Sequence, residues 1–283
     1  MPTVTPMDLS FGAVITDVKL GAMNDDEWKV VEDAFHEYAA LVFPGQHLTN
    51  EEHVAFGKRF GGIEILRNDG NEYAMITNKA ADGKILSAEE KRFQTLRGNE
   101  GWHTDSSYMP LAAKASCLTA ITVPSSGGET ALADMRGAYE ALDEAMKEKI
   151  KDLVAYHSLY ASQAKAGFTF KTGEGYGYHT HGMPMRPLVK VHPVTGRKSL
   201  FLSSHAGQIE GWSIPESRMF LHDLAEFATQ PQFVYSHPWT VGDMVVWDNR
   251  VTMHRGRRFD PAEPRDVRQT RLAGHAPTIE QLD

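Results

Sequence analysis

Short β-rich runs at close spacing are the feature that most constrains the fold of this chain. Turn signals at 193–196 (PVTG) and 241–243 (VGD) separate several of these runs. Many short strands with few helices favour packed β-sheets over a doubly wound parallel sheet. We therefore predict a mainly β fold with covering helices, of the sandwich or jelly-roll kind. The predicted strands lie at 40–43, 115–123, 188–191, 200–202, 233–235, 244–247 and 268–273.

Helices are predicted where short polar side chains precede apolar residues at helical spacing. Asn24 is expected to cap one helix, because its side chain can accept a free N–H of the first turn. Thr49 begins a capping-box pattern, and the helix behind it is expected to end at the glycine pair 61–62. Two further helices are expected to begin at Asp134 and at Ser213. These helices would cover the sheets.

The 283 residues show no internal repeat and no low-complexity linker, so we predict a single domain spanning 1–283. Lys and Arg total 29 against 37 Asp and Glu, and no basic run is long enough to follow a phosphate backbone. No apolar stretch approaches a membrane span, and the N-terminus lacks a signal-peptide pattern. We expect a soluble, cytoplasmic homo-oligomer that acts on a small molecule and binds neither nucleic acid nor membranes.

A metal bound by this chain would have to use histidines and carboxylates, because Cys117 is its single cysteine. His103 and Asp105 stand two residues apart, and on an extended segment such residues point to the same side. His254 follows the apolar run 244–247 and can supply a third ligand if the fold returns the chain there. Two histidines and one carboxylate leave the opposite face of an ion open, as in non-haem Fe(II) oxygenases.

Simpler explanations of these histidines stay open at this point. A His-x-Asp pair in a chain with 13 histidines is more often a hydrogen-bonded surface pair than a metal site. His179 and His181 form a rival pair, although they follow a glycine-rich stretch at 173–177 that is typical of a loop.

The chain resembles the TauD/TfdA family of Fe(II)- and 2-oxoglutarate-dependent dioxygenases, and family-like segments extend from about residue 41 to about residue 274. The resemblance is closer to the phenoxyalkanoate branch than to taurine dioxygenase. The motifs that carry it come in the order of the family, and they are WHTDSSY at 102–108, PSSGGET at 124–130, DMRGAY at 134–139, GDMVVWDNR at 242–250 and HRG at 254–256.

The resemblance implies a double-stranded β-helix, also called a jelly roll, in which His103, Asp105 and His254 bind Fe(II). It also implies 2-oxoglutarate and O2 as co-substrates. Decarboxylation of 2-oxoglutarate to succinate and CO2 would accompany hydroxylation of a small organic acid.

The 2-oxoglutarate implied by the resemblance is a dianion, which needs a cation at the buried end of its pocket. Arginine suits this role better than lysine, because its planar guanidinium can donate two hydrogen bonds to one carboxylate. In the family this arginine follows the last ligand histidine by about eleven residues, at the position of Arg265. Thr130 matches the hydroxyl that shares the carboxylate. Arg268 and Arg271 are the alternatives to Arg265.

The branch resemblance predicts an aryloxyalkanoate-like or other hydrophobic carboxylate as substrate. In taurine dioxygenase an arginine four residues beyond the co-substrate arginine holds the sulfonate, and Gln269 occupies that position here. A neutral amide would hold a sulfonate less tightly. A sulfonate or sulfate-ester substrate is therefore the second hypothesis. The candidate replacement cations are Arg271, Arg186 and Lys190. Each of them is equally well explained as a surface charge.

Further substrate contacts are implied next to the metal ligands. Asn99 matches a substrate-contacting amide of taurine dioxygenase, with a turn residue as the alternative explanation. Ser106 stands where a backbone N–H faces the substrate. The polar segment 69–97 is interpreted as a flexible lid, and 165–185 as a second loop.

Two other classes of protein use similar ligands. Zinc hydrolases combine two histidines with a carboxylate, and non-oxidative cupin-type metal proteins share the jelly roll. Thr130 and Arg265 argue against both, because neither class needs a dedicated dicarboxylate site.

Overall fold

The computed structural model of the protein describes residues 1–67 and 69–274. Two short 3-10 helices lie at Leu20–Ala22 and Pro231–Phe233. The α-helices are α1 (Asp25–Tyr38), α2 (Asn50–Lys58), α3 (Lys91–Gly98), α4 (Met135–Glu140), α5 (Glu144–Ile150), α6 (Leu159–Lys165) and α7 (Ile214–Ala228).

Strands make up most of the remaining regular structure. They are β1 (Thr3–Pro6), β2 (Ala13–Thr16), β3 (Ala40–Phe43), β4 (Ala74–Thr77), β5 (Ala113–Thr122), β6 (Thr130–Asp134), β7 (Val154–His157), β8 (Met185–Pro187), β9 (Val189–Val191), β10 (Lys198–Leu200), β11 (Ala206–Ile209), β12 (Val234–His237), β13 (Met244–Asp248), β14 (Thr252–Gly256) and β15 (Asp266–Ala273).

Within the described residues the strands form one large sheet and three smaller ones. The large sheet has seven strands in the order β1-β2-β3-β13-β5-β15-β4, and only its β2–β3 pair is parallel. The smaller sheets have the orders β12-β6-β14, β11-β7-β8 and β10-β9.

The central strand β13 shows why its sequence is continuously apolar. Met244 and Val246 pack into a cluster with residues of α1 and α2. Val245 and Trp247 point to the opposite face, as successive strand residues do, and pack with Leu132 of β6. Helices therefore cover one face of the large sheet, and the β12-β6-β14 sheet covers the other. The candidate site lies between these two sheets.

All four helix starts predicted from capping residues, at Asn24, Thr49, Asp134 and Ser213, are confirmed. Asn24 and Thr49 each form a capping box at the start of α1 and α2, and Ser213 caps α7. The predicted end of α2 is wrong, because this helix stops at Lys58 before the glycine pair 61–62.

Two other local predictions are wrong. The helix expected from Asp134 is divided into α4 and α5, because Asp143 caps a new first turn. The segment 69–97 is not one continuous loop. It contains β4, which pairs with β15, and α3, which buries Phe93. The many charged residues of this segment gave no apolar pattern from which β4 and α3 could be predicted.

The mainly β architecture with covering helices is confirmed. No helix in the described part of the chain has both the length and the apolar composition needed to cross a bilayer. The predicted domain 1–283 includes Asn68 and residues 275–283, which lie outside the described residues.

Candidate metal centre

His103 and His254 are paired through their backbones. The N–H of His103 donates to the carbonyl of His254 at 2.9 Å, and the reverse hydrogen bond is 2.8 Å long. The centroids of the two imidazole rings are 4.2 Å apart. This antiparallel bridge holds two residues that are distant in sequence side by side.

Asp105 completes a cluster with these two histidines. Its Oδ2 lies 3.6 Å from Nε2 of His254, and one ligand atom from each of the three residues lies within 4.8 Å of the others. All three side chains are buried. The structure thus brings together the three residues that were predicted as metal ligands.

The protonation states in this cluster suit a metal. Burial lowers the pKa of His103, and it lowers that of His254 to about 3. Burial alone would raise the pKa of Asp105, but the guanidinium of Arg271, the two histidines and the hydroxyl of Ser116 together outweigh this effect and hold the pKa below its usual value. At neutral pH the site therefore offers two neutral imidazoles and one carboxylate, which are the forms that bind metal.

Hydrogen bonds orient these ligands. Nδ1 of His103 donates to the carbonyl of Gly101 at 2.8 Å, which leaves Nε2 free to bind a metal. The hydroxyl of Ser116 donates to Oδ2 of Asp105 at 2.6 Å, and Nδ2 of Asn249 donates to that hydroxyl at 2.9 Å. Sequence analysis missed both supporting residues. Asn249 lies in a family-like motif, whereas no sequence signal marks Ser116.

Arg265 and Thr130 line the same cavity as the three candidate ligands. Arg265 is buried, and its Nε donates to the carbonyl of Gly128 at 3.0 Å. Burial lowers the pKa of Arg265 to about 10, so the guanidinium stays charged at neutral pH. The Thr130 hydroxyl accepts a hydrogen bond of 3.1 Å from Trp239. The cavity therefore has a cation and a hydroxyl available for a carboxylate.

The two alternatives to Arg265 have different positions. Arg268 points to the other face of β15, where its Nη1 donates to two backbone carbonyls at 3.0 and 2.7 Å. Arg271 lines the cavity, and its Nη2 lies 2.6 Å from Oδ1 of Asp105. Alternation along the strand thus excludes Arg268 from the cavity and brings Arg271 next to the candidate ligands.

The other predicted substrate contacts also lie near the cluster. Nε2 of Gln269 is 3.3 Å from Oδ2 of Asp105. Asn99 is the C-cap residue of α3 and lines the cavity. Ser106 has a positive φ of 52°, and its hydroxyl accepts a hydrogen bond of 2.9 Å from Nη1 of Arg271. The cavity therefore has a polar end beside the candidate metal ligands.

The rival residues lie elsewhere. Nε2 of His179 is 3.2 Å from the carbonyl oxygen of Tyr108. Among the described residues, neither His179 nor His181 belongs to the potential metal cluster. Arg186 and Lys190 are buried, so their interpretation as surface charges is wrong. Arg186 binds two backbone carbonyls. None of these four side chains is among the described residues that line the cavity.

The residues present fit a divalent transition metal such as Fe(II). Two neutral imidazoles and one carboxylate offer ligand atoms within 4.8 Å of one another, and this donor set suits such an ion. The same three residues line a cavity together with Arg265 and Thr130. A metal held there would keep positions open toward the cavity.

The chain matches the model of the taurine catabolism dioxygenase TauD, TfdA family over residues 3–271. It is 45% identical over 277 residues to an (S)-phenoxypropionate/alpha-ketoglutarate-dioxygenase of Sphingobium herbicidovorans, which covers 96% of this chain and 94% of that protein. It is 40% identical over 265 residues to an alpha-ketoglutarate-dependent 2,4-dichlorophenoxyacetate dioxygenase of Burkholderia sp., with 90% of this chain and 88% of that protein covered.

A solved structure shows the same similarity in three dimensions. The crystal structure of AAD-2 in complex with Mn(II) and N-oxalylglycine has a TM-score of 0.91 and 43% sequence identity, and the match covers 98% of both chains. The predicted closeness to the phenoxyalkanoate branch is confirmed by these relatives. With a family match over nearly its whole length, the chain belongs to the TauD/TfdA family of dioxygenases.

Proposed function

We propose that the protein is an Fe(II)- and 2-oxoglutarate-dependent dioxygenase that hydroxylates an aryloxyalkanoate or a similar hydrophobic carboxylate. One observation carries the proposal. Three potential metal ligands, His103, Asp105 and His254, share a buried cavity with Arg265 and Thr130. A zinc hydrolase or a cupin-type isomerase has no need for such a second, dicarboxylate-binding end.

We further propose that the core is a double-stranded β-helix and that residues 1–283 form one domain. The packing of the large sheet against β12-β6-β14 supports this, because their shared interior holds the cavity. A cytoplasmic location and homo-oligomerisation stay predictions.

Each side chain has a defined role in the proposal. His103, Asp105 and His254 would hold Fe(II), and the bound iron would supply electrons and open positions for dioxygen. Arg265 and Thr130 would hold the distal carboxylate of 2-oxoglutarate through charge-assisted hydrogen bonds. This arrangement orients the keto acid toward the metal end of the cavity.

The apolar wall of the cavity would limit the access of water. Ile76, Leu118 and Trp247 are the apolar residues that line it, and exclusion of water strengthens the electrostatic interactions inside. In the overall reaction O2 is the oxidant: one of its oxygen atoms enters succinate as 2-oxoglutarate loses CO2, and the other becomes the hydroxyl group of the substrate. If the hydroxylated carbon bears an ether oxygen, the product is a hemiacetal that falls apart.

The substrate class rests on two observations. Relatives with 45% and 40% identity are named for phenoxypropionate and 2,4-dichlorophenoxyacetate. The position that holds a sulfonate in taurine dioxygenase is the neutral Gln269, while the cation Arg271 lies two residues further along the same face of β15. We infer that Arg271 holds the substrate carboxylate.

Succinate production tests the proposed function. Purified protein with Fe(II), 2-oxoglutarate, oxygen and (S)-2-phenoxypropionate is expected to release succinate. His103→Ala, Asp105→Ala and His254→Ala are each expected to abolish this release while circular dichroism shows a folded protein. Near-normal turnover in any of the three variants would remove that residue from the proposed site.

A further inference from the structure

Glu64, which the proposed function does not use, is held beside Arg271 by the backbone. Its N–H donates to the carbonyl of Arg271 at 2.8 Å, and the preceding Ile63 forms an isolated bridge with Leu272. The side chains of Glu64 and Arg271 are each only 11% exposed. The carboxylate of Glu64 is therefore fixed next to the guanidinium proposed to hold the substrate.

Two neutral groups bind this carboxylate. Its Oε2 accepts a hydrogen bond of 2.9 Å from the hydroxyl of Ser106, and its Oε1 accepts one from the hydroxyl of Tyr176. Oε2 lies 4.0 Å from Nε of Arg271, which is an ion-pair contact but too long for a hydrogen bond. Glu64 is thus a second carboxylate beside Arg271, after Asp105 at 2.6 Å, and it leaves the Nε–H of Arg271 without a hydrogen bond.

One nitrogen of the Arg271 guanidinium has no hydrogen-bond partner among the described residues. Its Nη2 binds Asp105 and its Nη1 binds Ser106. Its Nε is buried and has no hydrogen-bond partner among the described residues. A buried, unpaired donor on a guanidinium is costly, and a carboxylate of a ligand in the cavity could accept from it. Such a carboxylate would be repelled by the negative charge of Glu64.

A ligand carboxylate would be the third beside Arg271, after Asp105 and Glu64, and like charges repel each other in a buried site. Burial already raises the pKa of Glu64, although Arg271 and the two hydroxyl groups oppose the rise. A third anion would increase this cost unless Glu64 moved into solvent. The bond to Tyr176 joins Glu64 to a glycine-rich segment, in which Gly173, Gly175 and Gly177 have positive φ angles.

We propose that Glu64 is a specificity-determining residue, whose carboxylate competes with the substrate carboxylate for Arg271 and is displaced by it together with the bond to Tyr176. This inference rests on the proposed function. Small anions would bind weakly, because they bury little apolar surface to offset the displacement of Glu64. Carboxylates with a large apolar body would bind, because the burial of that body offsets the displacement.

Glu64→Gln tests the proposal, because it keeps the size and the acceptor oxygen but removes the charge. Binding of (S)-2-phenoxypropionate is measured by isothermal titration calorimetry on protein loaded with Mn(II) and N-oxalylglycine. The dissociation constant is expected to fall by about tenfold or more, which corresponds to about 1.4 kcal/mol. The neutral amide of the same acid is expected to bind both proteins equally. Tyr176→Phe removes one hydrogen bond to the carboxylate of Glu64. This variant is expected to show a smaller gain in affinity for the acid.

Glu72→Gln is the matched control. It also removes a carboxylate between α2 and β4, but Glu72 pairs with Lys58 at the surface, 2.7 Å away. Affinity for the acid is expected to stay unchanged in this variant. Unchanged or weaker binding of the acid by Glu64→Gln, an equal gain for the amide, or no binding to either protein would overturn the proposal. Failure of the unaltered protein to convert 2-oxoglutarate to succinate would instead count against the proposed function.

Discussion

The hydroxyl of Ser116 donates a hydrogen bond of 2.6 Å to Oδ2 of Asp105, and this bond sets the orientation of the only carboxylate in the potential metal cluster of the described residues. Groups that orient metal ligands typically contribute about 10–100-fold to metal affinity. Ser116→Ala is therefore expected to weaken binding of Mn(II), measured by anaerobic titration calorimetry, by a factor in that range.

A second buried serine provides the control for this experiment. Ser199 is also buried, and its hydroxyl donates to the carbonyl of Arg250 at 3.3 Å, away from the cavity. Ser199→Ala should leave the metal affinity unchanged. Equal metal affinity in Ser116→Ala and the unaltered protein would show that Asp105 does not need this hydrogen bond.

Arg265→Ala is expected to weaken 2-oxoglutarate binding severely. Loss of one partner of a buried, charge-assisted pair typically costs roughly 3–5 kcal/mol, a factor of several hundred or more in affinity. Arg268→Ala is the matched control, because Arg268 lies on the same strand but points to the opposite face. Titration of each Fe(II)-loaded variant with 2-oxoglutarate measures both effects. A large loss of 2-oxoglutarate affinity in Arg268→Ala, with normal binding in Arg265→Ala, would show that Arg268 and not Arg265 holds the co-substrate.

Gly128→Ala is expected to weaken 2-oxoglutarate binding through Arg265. Gly128 has a φ of +73°, and a Cβ placed there would lie 3.0 Å from Cγ of Pro124, 3.1 Å from Nε of Arg265 and 3.2 Å from Cδ of Arg265. The added methyl group should push the guanidinium out of position. Gly196→Ala separates this effect from backbone strain, because Gly196 has a φ of +69° and open space around its Cβ position.

Both glycine variants should lose stability in thermal unfolding, since a positive φ costs a residue with a Cβ on the order of 1–3 kcal/mol. Only Gly128→Ala should raise the apparent KM for 2-oxoglutarate. An equal KM in the two variants would exclude this contact as a determinant of co-substrate binding.

Local features of the molecule were predictable from the sequence, whereas long-range contacts were not. The capping boxes at Asn24 and Thr49 depend on residues three positions apart, so their pattern is visible in the chain. The pairing of His103 with His254 depends on a backbone bridge between distant segments. Spacing alone left open whether His254 joins His103 and Asp105, and the family resemblance was needed to predict that the three share a metal.

The residues that the sequence did not reveal act through neighbours from other elements. Ser116 contacts Asp105 because the fold brings β5 next to the segment that carries this candidate ligand. Glu64 contacts Arg271 because its segment runs beside β15. A serine in a strand and a glutamate in a connecting segment are ordinary in any sequence. Their importance follows only from the fold.

The proposed substrate class predicts the outcome of a screen. Aryloxyalkanoates are expected to stimulate succinate release more than taurine or an alkyl sulfate ester does. Gln269 offers a sulfonate only a neutral amide, and a small anion recovers little of its desolvation cost. An aryl group can gain roughly 25 cal/mol for each Å² of apolar surface that it buries. Turnover of taurine or the sulfate ester that equals the best carboxylate would contradict the substrate class and leave the metal assignment intact.

The most direct test of the account is the anaerobic addition of Fe(II) and 2-oxoglutarate to the purified protein, followed by visible absorption. A keto acid chelated to Fe(II) at His103, Asp105 and His254 is expected to give a metal-to-ligand charge-transfer band. His254→Ala is expected to lack this band, and Arg265→Ala should require far more 2-oxoglutarate to form it. No band in the unaltered protein, together with activity supported by Zn(II) instead of Fe(II), would contradict the proposed function.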